Sequence, residues 1–101
     1  MKIKGLKRVV RGLRHTVKVV DAPPDRTVQV FVLSYRSGLY YPQDPVVDGT
    51  TEVVLGNAEH NTGKYSVVAV ALDREAEWGP KMFLPTGERS NVLKVRRFGR
   101  N

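Results

Sequence analysis

The chain contains no cysteine, which excludes a disulfide scaffold, a thiolate zinc site and a cysteine nucleophile together. It also lacks any apolar run near the ~18–20 residues that a membrane-spanning helix needs. No hydrophobic segment follows Met1-Lys2-Ile3-Lys4, so neither a secretory signal nor a membrane partner is expected, and the sequence reads as a complete soluble protein. Helical periodicity is almost absent, and so is any Gly-x-Gly-x-x-Gly or phosphate-loop pattern, which leaves a nucleotide enzyme without its usual cradle. The 101 residues suffice for one domain.

What is present is valine at spacing two, a branched side chain that suits a pleated surface. The alternation predicts strands over Thr16 to Val20, Thr27 to Tyr35, Thr51 to Leu55, Lys64 to Leu72 and Asn91 to Val95, with short edge strands at Leu39 to Tyr41 and Met82 to Leu84. The runs 27–35 and 64–72 are apolar on both faces, so both are expected at the centre of a sheet and covered on each side. Turn chemistry punctuates the chain at Pro23-Pro24-Asp25, Ser37-Gly38, Asp48-Gly49, Asn61-Thr62-Gly63, Gly79-Pro80 and Pro85-Thr86-Gly87. Many short strands at this spacing predict an all-β fold, an antiparallel sandwich of about seven strands.

Charge is unevenly spread. Residues 1–20 carry Lys2, Lys4, Lys7, Arg8, Arg11, Arg14 and Lys18 and no acid, whereas residues 21–87 hold five bases against nine acids. Residues 88–101 hold Arg89, Lys94, Arg96, Arg97 and Arg100 against Glu88. A mildly acidic body therefore has two cationic ends. Residues 1–14, with few apolar side chains, are expected to form a mobile basic arm or an edge strand outside the main core; residues 15–98 form the sandwich and residues 99–101 a tail.

The segment from Val53 to Val67 contains Asn61-x-Gly63-x-Tyr65-x-Val67, and it resembles the E–F region of an immunoglobulin-like domain, where the pattern is Asp-x-Gly-x-Tyr-x-Cys. The alternation Tyr65, Val67, Ala69, Ala71 is similar to strand F of fibronectin type III domains. The resemblance implies an immunoglobulin-like sandwich in which Tyr65 is a tyrosine corner, its hydroxyl bonded to backbone a few residues upstream, and Val67 takes the place of the second cysteine. Strand 27–35 offers Phe31 or Leu33 where antibody-type domains carry a core tryptophan.

Candidate chemistry is sparse. No serine sits in a Gly-x-Ser-x-Gly elbow, and His15 and His60 are too far apart in sequence, with no helical partner, for a triad or zinc pattern. Asp44, Asp48, Glu52 and Glu59 are hard oxygen ligands that either converge on calcium or remain surface acids. Asp73, Glu75 and Glu77 alternate like a glycosidase pair but enter a loop. No catalytic, metal or cofactor site is therefore expected, and the function should be binding or structural.

The residues expected to bind partners are Lys2, Lys4, Lys7, Arg8, Arg11, Arg14, Arg96 and Arg97 at the cationic ends, with Tyr40, Tyr41 and Trp78 as loop aromatics. The alternatives are that the charges are solvated surface and the aromatics cap the core. Single immunoglobulin-like modules without cysteines or a signal resemble phage virion components. That resemblance implies a capsid-decorating or head–tail or tail assembly protein contacting other protein subunits. The alternative is a cytoplasmic nucleic-acid-binding or ribosome-associated protein whose basic termini contact phosphates.

Overall fold

The computed structural model describes residues 1–57 and 62–99. Among these residues there are nine strands and no helix: β1 (Lys2–Lys4), β2 (Val9–Arg11), β3 (Arg14–Val20), β4 (Thr27–Ser34), β5 (Leu39–Pro45), β6 (Thr50–Val54), β7 (Gly63–Leu72), β8 (Glu88–Arg89) and β9 (Leu93–Phe98). They form two sheets, a smaller one in the order β1-β3-β6 and a larger one in the order β2-β9-β7-β4-β5, with β8 added to β7. All pairings are antiparallel except β2 with β9.

The period-two pattern decides what lies between the sheets. Ile3, Val17, Val19 and Val53 from the smaller sheet, with Leu55 just beyond β6, meet Val28, Val30, Val32, Tyr65, Val67, Ala69 and Val95 from the larger one. Each full burial of such an aliphatic side chain contributes about 1.5–3 kcal/mol. The core tryptophan position has no counterpart at Phe31 or Leu33, because the even-numbered valines of β4 are the ones turned inward. Phe31 faces the opposite way, into a second small core with Val68, Val70 and Leu72.

That second core explains why β4 and β7 are apolar on both faces. The connection 73–87 folds back over the outer face of the larger sheet and lays Ala76 and Leu84 on it, with Tyr40 from β5 beside them. Gln29 fastens the cover: its Nε2 donates to the Gln43 carbonyl at 2.8 Å and its Oε1 accepts from the Ala76 amide at 2.9 Å. Within this connection the expected strand at Met82 to Leu84 does not form. Lys81 instead bridges Tyr40, and the strand that adds to β7 is β8.

β5 holds Pro42 and Pro45 and is accordingly an edge strand, with a bulge where Gln29 pairs Pro45 and Phe31 pairs Pro42. It passes to β6 through Asp48 and Gly49, both at positive φ (52° and 76°), between the bridged residues Val47 and Thr50. Two left-handed residues in succession make the type I′ turn that Asp-Gly favours.

Of the two expectations for residues 1–14, an arm or an edge strand, the structure shows edge strands, β1 on the smaller sheet and β2 on the larger, and they do not lie outside the main core. Lys2-Ile3-Lys4 alternates, so Ile3 points into the core, 1% exposed, while its flanking lysines remain in solvent. The Asn91 side chain grips the backbone of Ile3 on both sides, accepting from its amide at 2.8 Å and donating to its carbonyl at 3.1 Å. The chain then crosses to the other sheet, where β2 pairs with β9 and Val10 packs against the core. Gly5 permits this exit: its φ is 108°, and a Cβ there would lie 3.3 Å from the Thr16 carbonyl. The last strand also begins later than expected, at Leu93, because Asn91 serves as this clamp.

Two outcomes follow. Ile3→Ala should lower the unfolding free energy by about 2–5 kcal/mol in urea titration; an unchanged midpoint would place β1 outside the core. Gln29→Leu strips the Ala76 amide and the Gln43 carbonyl of their partners, and limited proteolysis should then cut within 73–87 faster than in the wild type.

Candidate binding face

The connection 73–87 covers only one half of the larger sheet's outer face. On the other half the inward residues of β7 and β9 are Tyr65, Val67, Val95 and Arg97, so Lys64, Ser66, Lys94, Arg96 and Phe98 must point outward. Register brings them together. Tyr35 donates its amide to the Lys64 carbonyl at 3.1 Å, Lys64 is opposite Arg96, and Arg96 is opposite Val9. At ~4.8 Å between strands this row spans about 14 Å of sheet. Beside it lie Leu33, Ser66 and Lys94, and on its other flank Arg11 is opposite Phe98.

The Tyr35 hydroxyl lies 2.9 Å from the Ser66 Oγ. A serine oxygen stays close to its own strand, so a tyrosine whose tip reaches it has its ring laid across the sheet. The side chain is half exposed. Around it runs an open groove of about 670 Å³ whose walls include Leu6, Arg8, Lys64, Lys94 and Arg96. The ion pairs between described residues are those of the Met1 ammonium with Glu88, Arg14 with Glu52 and Arg26 with Asp73, and none involves a cation of this face. Lys64 directly opposite Arg96 is a like-charge pair, which by itself opposes sheet formation.

The expected partner-binding residues divide. Arg8, Arg11 and Arg96 lie on this face. Lys2, Lys4 and Arg14 belong to the smaller sheet, where Arg14 Nη1 meets Glu52 Oε1 at 3.2 Å, and Lys7 is exposed in the crossing between the sheets. Arg97 cannot serve as a surface cation. It is 2% exposed, and its Nη1 donates to the carbonyls of Leu55 at 2.9 Å and Asn57 at 3.0 Å. The inward phase of β9 carries it there, and its charge is spent on backbone at the end of β6.

The three loop aromatics are likewise separate. Tyr40 caps the outer core, Tyr41 projects from the opposite side of β5 with its hydroxyl donating to Ser37 Oγ, and Trp78 is 72% exposed in the connection 73–87, where Met82 and Phe83 are equally bare. Tyr65 and Val67 are buried. Gly63 is a close approach, since a Cβ there would come within 2.8 Å of the Tyr65 hydroxyl. The corner that Tyr65 would anchor, with Asn61, Glu59 and His60, lies outside the described residues, as does Arg100. Among the described residues no three carboxylates or imidazoles converge as a metal site, and no helix is long and apolar enough to cross a membrane. His15 is occupied locally, its Nε2 2.9 Å from the Gly12 carbonyl.

Sequence reasoning missed Tyr35, Lys64, Lys94 and Phe98. A signal for two of them existed in Leu93-Lys94-Val95-Arg96-Arg97-Phe98, whose alternate residues Lys94, Arg96 and Phe98 share a face. Comparison with protein-family models, characterised proteins and solved structures finds no match to this chain.

Arg96 and Arg97 offer a direct check of these assignments. Arg97→Ala should cost at least about 2 kcal/mol, because a buried side chain loses its charge-assisted bonds to the Leu55 and Asn57 carbonyls, whereas Arg96→Ala should stay within about 0.5 kcal/mol of the wild type. Equal denaturation midpoints for the two variants would overturn the inward placement of Arg97.

Proposed function

We propose that this protein is a non-enzymatic binding module on an immunoglobulin-like sandwich. In this reading it is an accessory component of a phage particle, decorating the capsid or joining a head–tail or tail assembly, and it attaches through the bare basic half of its larger sheet to an anionic component of that particle. The observation that carries the reading is the gathering of Arg8, Arg11, Lys64, Lys94 and Arg96 on one open face without an acidic partner among the described residues. Like charges held together this way oppose folding and favour an anionic neighbour. The strand order supports the immunoglobulin-like assignment: β1, β3 and β6 correspond to strands A, B and E, and β9, β7, β4 and β5 to G, F, C and C′.

A second reading, a cytoplasmic or ribosome-associated nucleic-acid-binding protein, draws on the same face and is favoured by the presence of Tyr35 and Phe98 among the bases. The two differ in where the protein works. Capsid, portal or tail genes beside its own gene are expected under the first reading, and ribosomal-protein genes under the second. In sedimentation with the assembled particles, the protein should pellet with them at low salt and be released as salt rises, while the double variant Lys64→Glu/Arg96→Glu should stay in the supernatant. Wild-type protein that never pellets, or a charge-reversed variant that pellets equally, would remove the basic face from the assembly.

A further inference from the structure

We infer that the bare half of the larger sheet is a binding site for single-stranded nucleic acid, with the Tyr35 ring as a base-stacking platform and Arg8, Lys64, Lys94 and Arg96 as phosphate contacts. This rests on the reading that the face takes an anionic partner and names which one. Charge alone does not distinguish a phosphodiester strand from an acidic protein; the aromatic geometry does. The hydrogen bond between the Tyr35 hydroxyl and Ser66 Oγ ties the tip of the ring to the neighbouring strand, and the side chain remains half exposed along the sheet, within reach of a stacking base. Lys64 is its neighbour on the next strand and Arg96 stands one strand beyond. Phe98, also exposed, sits opposite Arg11 on the same face.

Aromatic faces flanked by cations across an open sheet suit a strand whose bases are unpaired, because every base has a stacking face and every linkage a charge. A carboxylate-bearing peptide would use the cations and leave the rings idle, and a duplex would keep its bases stacked among themselves. The connection 73–87 limits the platform on one side, and β2 forms its other rim. With the four cations Arg8, Lys64, Lys94 and Arg96 in contact, log K should fall with log salt with a slope of about −3, near 0.7 per phosphate for a single strand.

The test is fluorescence anisotropy of labelled oligothymidylate with the full chain, competed by an unlabelled strand, by duplex of the same length and by poly-glutamate. The single strand should compete best. Tyr35→Ala should weaken binding about tenfold with the salt slope unchanged, Tyr35→Phe, which keeps the ring but releases it from Ser66, should fall between the wild type and Tyr35→Ala, and Lys64→Gln should lower the slope by roughly 0.7. Thermal melts of each variant establish that it is folded. If Tyr35→Ala binds like the wild type, or poly-glutamate or duplex competes as well as the strand, the single-strand site is wrong while the anionic-partner reading survives. If no polyanion binds at all, both fall.

Discussion

The antiparallel pairing of β4 with β7 is the constraint on which the molecule depends. It runs unbroken from Thr27 opposite Leu72 to Ser34 opposite Tyr65, and both of its faces carry apolar side chains. One face demands the smaller sheet. The other would leave Phe31, Val68, Val70 and Leu72 in water, so the connection 73–87 has to return across it. Where that cover ends, β7 turns polar on its outer side at Ser66 and Lys64, and there the basic face begins. Core and candidate site are thus two stretches of one strand, divided by the reach of a loop.

Without disulfides, the open margins of the sandwich are joined by polar side chains bonded to backbone. Asn91 completes the backbone of Ile3 on one side. On the other, Gln43 accepts from the Val54 amide at 2.8 Å, and Thr51 donates to the Asp44 carbonyl at 2.9 Å, linking β6 to β5 across the gap between sheets. Each such bond is worth only about 1 kcal/mol net, but losing one partner leaves a buried group stranded at greater cost. Arg97 performs the same office at the end of β6 with a formal charge, which is why a side chain that composition assigns to the surface lies among valines.

The all-β character and the two central strands were legible in the spacing of valines, and an edge strand at Leu39 to Tyr41 in the shortness of its apolar run. Ile3 was not, because one isoleucine between lysines gives no periodicity to count; only its pairing with Val19 reveals which way it faces. Arg97 misled for the related reason that adjacent arginines look alike in a charge tally, although alternation sends them to opposite faces. The basic face was legible only in part. Arg8, Arg11 and Arg96 stood out as charge, but Tyr35 and Lys64 come from strands recognised for their hydrophobicity, and they meet Arg96 through long-range register that no local pattern encodes.

β2 and β9 lie side by side and run in the same direction. One leads in from the beginning of the chain and the other leads out to its end, so tension applied to the two ends pulls these strands along their length in opposite senses. Their hydrogen bonds are then loaded together in shear, whereas an antiparallel pair pulled from one end would open like a zipper, bond by bond. The bond from the Arg96 amide to the Arg8 carbonyl, 2.7 Å long, belongs to this seam. Once β1 had been drawn off β3, a module held at both ends would therefore resist stretching at the very strands that border its basic face, and slippage there would separate Arg8 and Arg11 from Lys64, Lys94 and Arg96.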